Sequence, residues 1–136
     1  MIFVDGDLFI NVNQTGGSAT PAIINTTGLV FIVKGAINIA PGVETVNAFM
    51  ISYGGFCSAY QSGLTPPCQD FSDTNQQKQL TINGSVISLN STTPPDFVRQ
   101  KTTLATASET INYQPKYLVI LKDIFSRDLK IWQEVQ

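Results

Sequence analysis

The sequence contains no histidine and few charged side chains. Only 13% of its 136 residues are charged, which is about half the fraction found in an ordinary globular protein. The absence of histidine excludes Ser-His-Asp and Cys-His nucleophiles, zinc sites that use imidazole, and the side chain that most often acts as a general base. We therefore expect a protein that is not an enzyme and that uses no cofactor or metal.

Positive charge is also scarce. The eight Lys and Arg residues are scattered along the chain, and the formal net charge is -2. Binding to nucleic acid depends on a basic patch that neutralises phosphates, so we expect no nucleic-acid partner. The sequence has no run of about 18 apolar residues, which predicts that no part of this chain spans a membrane.

The length and composition favour one β-rich domain over residues 1–136. The chain is long enough to bury one core and too short for two ordinary domains. Its polar surface is built mainly from Asn, Gln, Ser and Thr, of which Thr suits strands and Asn suits turns. We expect the first ten residues to form a strand and not a secretory signal. We interpret the chain as a domain of a larger exported protein, located outside the cell or at its surface.

Only two cysteines are present, Cys57 and Cys68, and they lie in a segment rich in Gly, Ser and Pro. A metal site would need further ligands, and a redox pair would need Cys-x-x-Cys spacing. We predict a structural disulfide between them, worth roughly 3 kcal/mol on the chain-entropy model. The alternative is a pair of free thiols in a cytosolic loop.

Four aromatic residues bracket the cysteine segment: Tyr53, Phe56, Tyr60 and Phe71. Exposed aromatic side chains on a stapled loop are suited to stacking on a surface glycan or to contact with a protein partner. The alternative is that they hold the loop against the core.

Three segments share one pattern around a glycine. They are Ile2 to Ile10 around Gly6, Phe31 to Ile39 around Gly35, and Leu80 to Ser88 around Gly84. Positions two and four residues to either side of the glycine are apolar in every case except Ser88. Alternation places these residues on one face of a strand, and the glycine marks a bend or a close backbone approach.

Repeated units of this kind bury their apolar faces when they stack on one another. We therefore predict an all-β fold, a parallel β-helix (solenoid)-like single domain with a short C-terminal helix. The alternative fold is an antiparallel β-sandwich.

The predicted helix follows Pro115. Apolar residues there fall close to helical spacing: Tyr117, Leu118, Ile120, Leu121, Ile124 and Phe125. We expect this helix to cover an open end of the strand stack. A strand is the alternative, since Val119 and Ile120 are β-branched, and a further strand is predicted over 129–135.

Carboxylates are the remaining candidates for chemistry. Asp5 and Asp7 flank Gly6 and would need a third acid from a neighbouring strand to bind calcium or to act on a glycan. The aligned positions of the other two segments supply none, which favours solvated residues at a turn. The segment 70–75 has the spacing Asp-x-x-Asp-x-Asn but lacks the Gly and Glu of a calcium loop.

The pattern apolar-x-apolar-x-Gly-x-apolar-x-apolar resembles the β-solenoid domains of bactofilin-like cell-envelope proteins. The C-terminal segments 113–119 and 132–135 resemble the ends of uncharacterised bacterial surface proteins, which join a pilin-like or single-helix membrane anchor to a β-rich exterior. These resemblances imply a place in the bacterial envelope and a structural role. They supply no catalytic residue.

We therefore expect a non-enzymatic structural or adhesive module that displays the 54–75 loop from a rigid stack. One alternative is a self-assembling filament or coat subunit. A second alternative is a carbohydrate-binding or carbohydrate-active β-helix protein. The expected partners are accordingly another copy of the chain, a surface glycan or a protein.

Overall fold

The structure, a computed structural model, describes residues 1–14, 28–63, 68, 78–90, 92, 95–99 and 107–128, with the backbone alone at 123–128. This part of the chain consists mainly of strands and contains one helix, α1 (Lys116–Asp128). The strands are β1 (Ile2–Val4), β2 (Leu8–Ile10), β3 (Leu29–Val33), β4 (Ala36–Ile39), β5 (Thr45–Val46), β6 (Ala48–Ser52), β7 (Gly55–Cys57), β8 (Leu80–Asn83), β9 (Ser85–Ser88) and β10 (Glu109–Asn112). The predicted β-rich fold is confirmed at this level.

The strands form three parallel sheets. Sheet A has the order β1-β3-β6-β9, sheet B the order β2-β4-β7, and sheet C the order β10-β8-β5. Every pairing between these strands is parallel, so the antiparallel sandwich is wrong. The chain visits the sheets in a fixed order: β3 in A is followed by β4 in B, β5 in C and then β6 back in A. We call one such passage a circuit.

The first two glycine-centred segments pair in the register that their shared pattern predicts. Ile2 lies opposite Phe31, and Leu8 lies opposite Ile37. Between these strands the Gly35 N–H donates a 3.1 Å hydrogen bond to the Gly6 carbonyl. The glycines therefore stack where the chain turns from sheet A to sheet B.

The third segment lies at a different bend. Leu80–Asn83 is in sheet C and Ser85–Ser88 is in sheet A, so Gly84 sits where the chain passes from C to A, beside Ala48. The segment in line with the first two is centred on Gly54, whose N–H donates to the Gly35 carbonyl at 2.9 Å. Ser52 occupies an inward position there, which obscured the pattern in the sequence.

The core lies between the three sheets. Its members are the apolar residues of each circuit that share one strand face: Ile10, Phe31, Val33, Ile37, Ile39, Val43, Val46, Ala48, Met50, Phe56, Leu80 and Ile82. Burial of each large aliphatic side chain contributes about 1.5–3 kcal/mol. Stacking therefore stabilises strands that are only two to five residues long.

Helix α1 lies on the outer face of sheet A. Its Tyr117 and Leu121 pack against Val30 and Phe49, which point away from the core, and the Tyr117 and Phe49 ring centroids are 5.9 Å apart. The predicted helix is confirmed and the strand alternative is wrong. We also expected the helix to cover an open end of the strand stack, and this is wrong. The helix lies against the side of the stack, because the apolar side chains that it buries, Val30 and Phe49, are on the outer face of sheet A.

Gly28 lets the helix approach sheet A closely. A Cβ atom at this position would lie 2.7 Å from Ile120 Cδ1 and 2.8 Å from Tyr117 Cε1. Pro115 immediately precedes the helix, where its fixed φ is compatible with a first turn. The strand predicted over 129–135 lies outside the described residues.

Candidate functional site

The bend from sheet A to sheet B is held by stacked glycines. A Cβ atom on Gly35 would collide with Asp7 Oδ1 and with the backbone of Gly6, and one on Gly54 would lie 2.7 Å from the Ala36 nitrogen. Only glycine lets successive circuits approach this closely. A Cβ on Gly6, in the outermost described circuit, would meet nothing within 4 Å.

Asp5 and Asp7 each bond to the next circuit. Lys34 Nζ lies 2.8 Å from Asp5 Oδ1 in an ion pair that is largely exposed, and Asp7 Oδ1 accepts a 2.8 Å hydrogen bond from the Ala36 N–H. The two carboxylates therefore connect strands. Within the described ranges no group of three or more His, Cys, Asp or Glu side chains could hold a metal ion. The 70–75 segment lies outside those ranges.

Cys57 and Cys68 form a disulfide with Cα atoms 5.8 Å apart, as predicted. Cys57 is buried within β7. The staple therefore ties Cys68 directly to a strand of sheet B. Tyr60 adds an antiparallel bridge to Cys68.

The aromatic residues around the staple have different environments. Tyr53 is 56% exposed, whereas Phe56 belongs to the core and its ring centroid lies 5.1 Å from that of Phe97. Tyr60 is half-buried and makes an edge contact with Phe9 at 5.1 Å. Phe71 lies outside the described residues. The structure thus leaves Tyr53 accessible and uses Phe56 for packing.

Two grooves lie on the outer faces of the sheets. The first, of about 280 Å³, is on sheet A and is lined by Phe3, Val4, Asp5, Ile32, Lys34 and Tyr53. The second, of about 190 Å³, is beside the staple and is lined by Ala36, Asn38, Gly54, Gly55, Phe56, Cys57, Cys68 and Asp96. Asp5 and Tyr53, which line the first groove, and Phe56, Cys57 and Cys68, which line the second, are residues that the sequence analysis named as candidates.

Arg99 organises the backbone between sheets B and C, a role that sequence reasoning missed. Its Nε donates to the Ser58 carbonyl at 2.7 Å, and Nη2 donates to Ala40 at 2.8 Å. Nη1 donates to Val43 at 2.6 Å and to Lys78 at 2.8 Å. A fixed fork of donors suits such a cluster of carbonyls. No local pattern around residue 99 announces it, because the four acceptors come from three separate segments.

Burial lowers the pKa of the Arg99 guanidinium to about 10, and the charge of Glu109 partly opposes that effect. Arg99 therefore remains protonated at neutral pH and keeps all of its donors. Arg99 is only 4% exposed to solvent. The carbonyl dipoles and the nearby carboxylate together stabilise a buried cation.

A row of asparagine amides runs along the bend from sheet C to sheet A. Asn83 Nδ2 donates to Asn47 Oδ1 at 2.8 Å, and Asn112 Nδ2 donates to Asn83 Oδ1 at 3.0 Å. Sequence reasoning missed this row, although a signal was present: a Thr-(Val/Ile)-Asn triplet recurs at 45–47, 81–83 and 110–112. Stacked Asn amides of this kind add cohesion between parallel strands.

Among the described residues, no helix is both long and apolar enough to cross a membrane.

The comparisons with known proteins identify no relative. Protein-family models, curated proteins and solved structures all yield no match to this chain.

Proposed function

We propose that this chain is a non-enzymatic structural module of a bacterial surface protein, and that it displays a disulfide-stapled loop from a β-solenoid. The observation that carries the proposal is the position of Cys57 inside β7 of sheet B. A loop that is covalently attached to a buried strand is presented in a restricted orientation. Such preorganisation lowers the entropy lost on binding a partner.

The order of the sheets supports a parallel β-helix. Three successive passages through sheet A, at β3, β6 and β9, each advance by one strand position. In such an architecture each circuit contacts its neighbours, and the cohesion comes from backbone ladders and from side chains stacked in register. The stacked glycines and the asparagine row are two sets of residues that are aligned in this way between neighbouring circuits.

The staple also supports an exported location. Disulfides persist in oxidising compartments and are uncommon in the cytosol. The low charge and the abundance of Asn, Ser and Thr fit a surface-exposed β-rich module.

The location is tested by counting free thiols with an alkylating reagent and mass spectrometry. The chain is produced once in an oxidising periplasm and once in a reducing cytosol. We expect no alkylation of the periplasmic protein and two alkylated thiols in the cytosolic one, together with a lower unfolding midpoint. Free thiols in the periplasmic protein would contradict an exported module. A Cys57→Ser/Cys68→Ser variant is the control that takes up no label.

The display role is tested by coating beads with the wild-type chain or with the Cys57→Ser/Cys68→Ser variant. Adhesion is then measured on a panel of immobilised cell-surface polysaccharides and matrix proteins. We expect adhesion of wild-type beads and about tenfold weaker adhesion of the variant, since the loop loses its attachment to β7. Equal adhesion of both proteins, or none by the wild type, would contradict the proposal.

Exposed residues at the outer strands favour a second candidate, a self-assembling subunit. Ile2 is 45% exposed, although its register partner Phe31 is 7% exposed. Ile111 is 46% exposed, although its partner Ile82 is 1% exposed. Within the described residues, no strand pairs with the outer edge of β1 or of β10. A second copy stacked head to tail would cover both positions.

This candidate is tested by light scattering over a hundredfold range of concentration. Head-to-tail stacking predicts growth of the wild type, and monomers for Ile2→Lys and for Ile111→Lys alone. An equimolar mixture of the two variants should give dimers, because each retains the end that the other has lost. Leu118→Lys, on the exposed side of α1, is the matched control. A monomeric wild type would exclude stacking.

A further inference from the structure

Helix α1 covers only part of the apolar outer face of sheet A. The covered part contains Val30 and Phe49. The next row, Phe3, Ile32 and Ile51 in register across three strands, packs against that cluster at Ile32 and Ile51 and extends beyond it at Phe3. Phe3, which is 68% exposed, is its most accessible member. Within the described residues, the groove of about 280 Å³ on this face lies open.

Phe3 and Tyr53 are the two aromatic residues that line this groove. Phe3 is on β1, whereas Tyr53 follows directly after β6 and lies two residues beyond Ile51, the residue in register with Phe3. Their backbone positions are therefore separated by two strand spacings of about 4.8 Å each and by about 7 Å along the strands. Ile32, on the intervening strand, is the floor. A diagonal separation of about 12 Å between these two backbone positions leaves room for a six-membered ring that contacts an aromatic side chain on each side.

The polar rim of the groove is electrically neutral. Asp5 and Lys34 line it and form an ion pair at 2.8 Å, with side chains that are 90% and 75% exposed. A cation or an anion would meet one attractive and one repulsive charge there. A hydroxyl group, by contrast, both donates to a carboxylate and accepts from an ammonium. Two aromatic walls, an aliphatic floor and a neutral donor-acceptor pair thus match a ring with apolar faces and a hydroxylated edge.

We propose that this groove binds a neutral saccharide ring, stacked between Phe3 and Tyr53, with its hydroxyl groups on Asp5 and Lys34. The site is separate from the stapled 54–75 loop, none of whose described residues lines the groove. The proposal specifies the class of ligand that an adhesive module would bind. Binding at this groove does not depend on the disulfide. A failure of the saccharide site therefore leaves the display proposal standing, and the reverse is also true.

The proposal is tested by saturation-transfer NMR on the full chain. The probes are methyl glycosides of glucose, galactose, mannose and N-acetylglucosamine, together with their β-linked and α-linked trisaccharides. We expect transfer to the ring C–H protons of at least one glycoside. Titration of that sugar should show about tenfold weaker binding for Phe3→Ala and for Tyr53→Ala, the loss expected for one stacking contact.

Polar contacts are tested by Asp5→Asn and Lys34→Met, which should each weaken binding of the same sugar severalfold. The matched aromatic control is Tyr113→Ala, which removes an equally exposed tyrosine (53%) from outside the groove and should bind like the wild type. Circular dichroism establishes that each variant is folded.

Three outcomes would overturn the proposal. The first is the absence of saturation transfer from any probe at millimolar sugar. The second is undiminished binding by folded Phe3→Ala or Tyr53→Ala. The third is a wild-type dimer that Phe3→Lys converts to a monomer without any sugar binding by either, since a second copy would then occupy the groove. The wild-type NMR measurement decides the matter even if a variant fails to fold.

Discussion

Arg99 Nη1 donates a 2.6 Å hydrogen bond to the Val43 carbonyl, although 56 residues separate the two in sequence. The same guanidinium reaches the carbonyls of Ala40, Ser58 and Lys78. One side chain thereby joins segments of two successive circuits. The buried cation therefore cross-links the bends between sheets B and C in these two circuits.

We expect Arg99→Met to be strongly destabilising. The substitution leaves four carbonyl groups without their donor, and each unsatisfied buried group costs about 1–3 kcal/mol. Urea unfolding should show a loss of at least about 3 kcal/mol, with a smaller loss for Arg99→Lys, which keeps the charge but has fewer donors. Lys122→Met removes an exposed cation and is the control. Equal stability of Arg99→Met and Lys122→Met would contradict the role of Arg99.

The glycine stack predicts opposite results for two glycines at equivalent positions. Gly35→Ala should lower the free energy of unfolding by about 1–3 kcal/mol, because its Cβ would press on Asp7 and on the Gly6 backbone. Gly6→Ala should have little effect, because a Cβ there meets nothing within 4 Å. Thermal unfolding of both variants provides the comparison. If the two alanine variants lost equal stability, close packing between circuits would not be the cause.

The asparagine row predicts a charge-dependent loss of stability. Asn83→Asp would replace the donor to Asn47 Oδ1 with a carboxylate oxygen in a buried position. Burial disfavours the charged form, so the new carboxyl should have a raised pKa and stability should fall as pH rises through 4 to 7, roughly the range of such shifts.

Asn112→Asp is the control for the asparagine row, because Asn112 is exposed at its end. Urea midpoints at several pH values should show a steep loss for Asn83→Asp and a shallow one for Asn112→Asp. Parallel pH profiles for the two variants would show that the row contributes no buried hydrogen bond.

Tyr117 predicts a loss of stability in alkali. Burial on the outer face of sheet A raises the pKa of its phenol. Below a pH of about 10, the unperturbed tyrosine value, the phenol is protonated in both the folded and the unfolded state. The stabilisation that its burial gives is then complete. Above that pH the unfolded state loses its proton first, so stability falls. Tyr117→Phe, which preserves the packing on Phe49, should show a smaller loss between pH 9 and 11, roughly the window around that value. Identical slopes would contradict the assignment.

Sequence reasoning was most successful where the structure is local. Alternating apolar residues around Gly6 and Gly35 predicted a strand with one apolar face and a bend or close backbone approach at the glycine, because side-chain direction in a strand depends only on residue parity. The structure divides each of these segments into two strands at the glycine. Helical spacing after Pro115 predicted α1 for a similar reason. The short spacing of Cys57 and Cys68 in a turn-rich segment was sufficient to predict their disulfide.

Reasoning from the sequence failed where the environment of a residue depends on a segment that is distant along the chain. The pattern around Gly84 matches that around Gly35 except at Ser88, yet Gly84 lies beside Ala48 at another bend. Phe56 and Tyr53 looked equivalent in the sequence, but one faces the core and the other faces solvent. The recurrent Thr-(Val/Ile)-Asn triplet was visible and would have revealed the asparagine row.

The sequence by itself determined the apolar strand faces around Gly6, Gly35 and Gly84, the helix after Pro115 and the partners of the cysteines, since each depends on periodicity or on residues close along the chain. The tertiary structure decided which bends stack on one another, which face of sheet A receives α1, and where Phe3, Lys34 and Tyr53 meet. It also decided the role of Arg99, whose acceptors are carbonyl groups that every residue carries. Their convergence is a property of the path of the backbone, and no side-chain pattern encodes it.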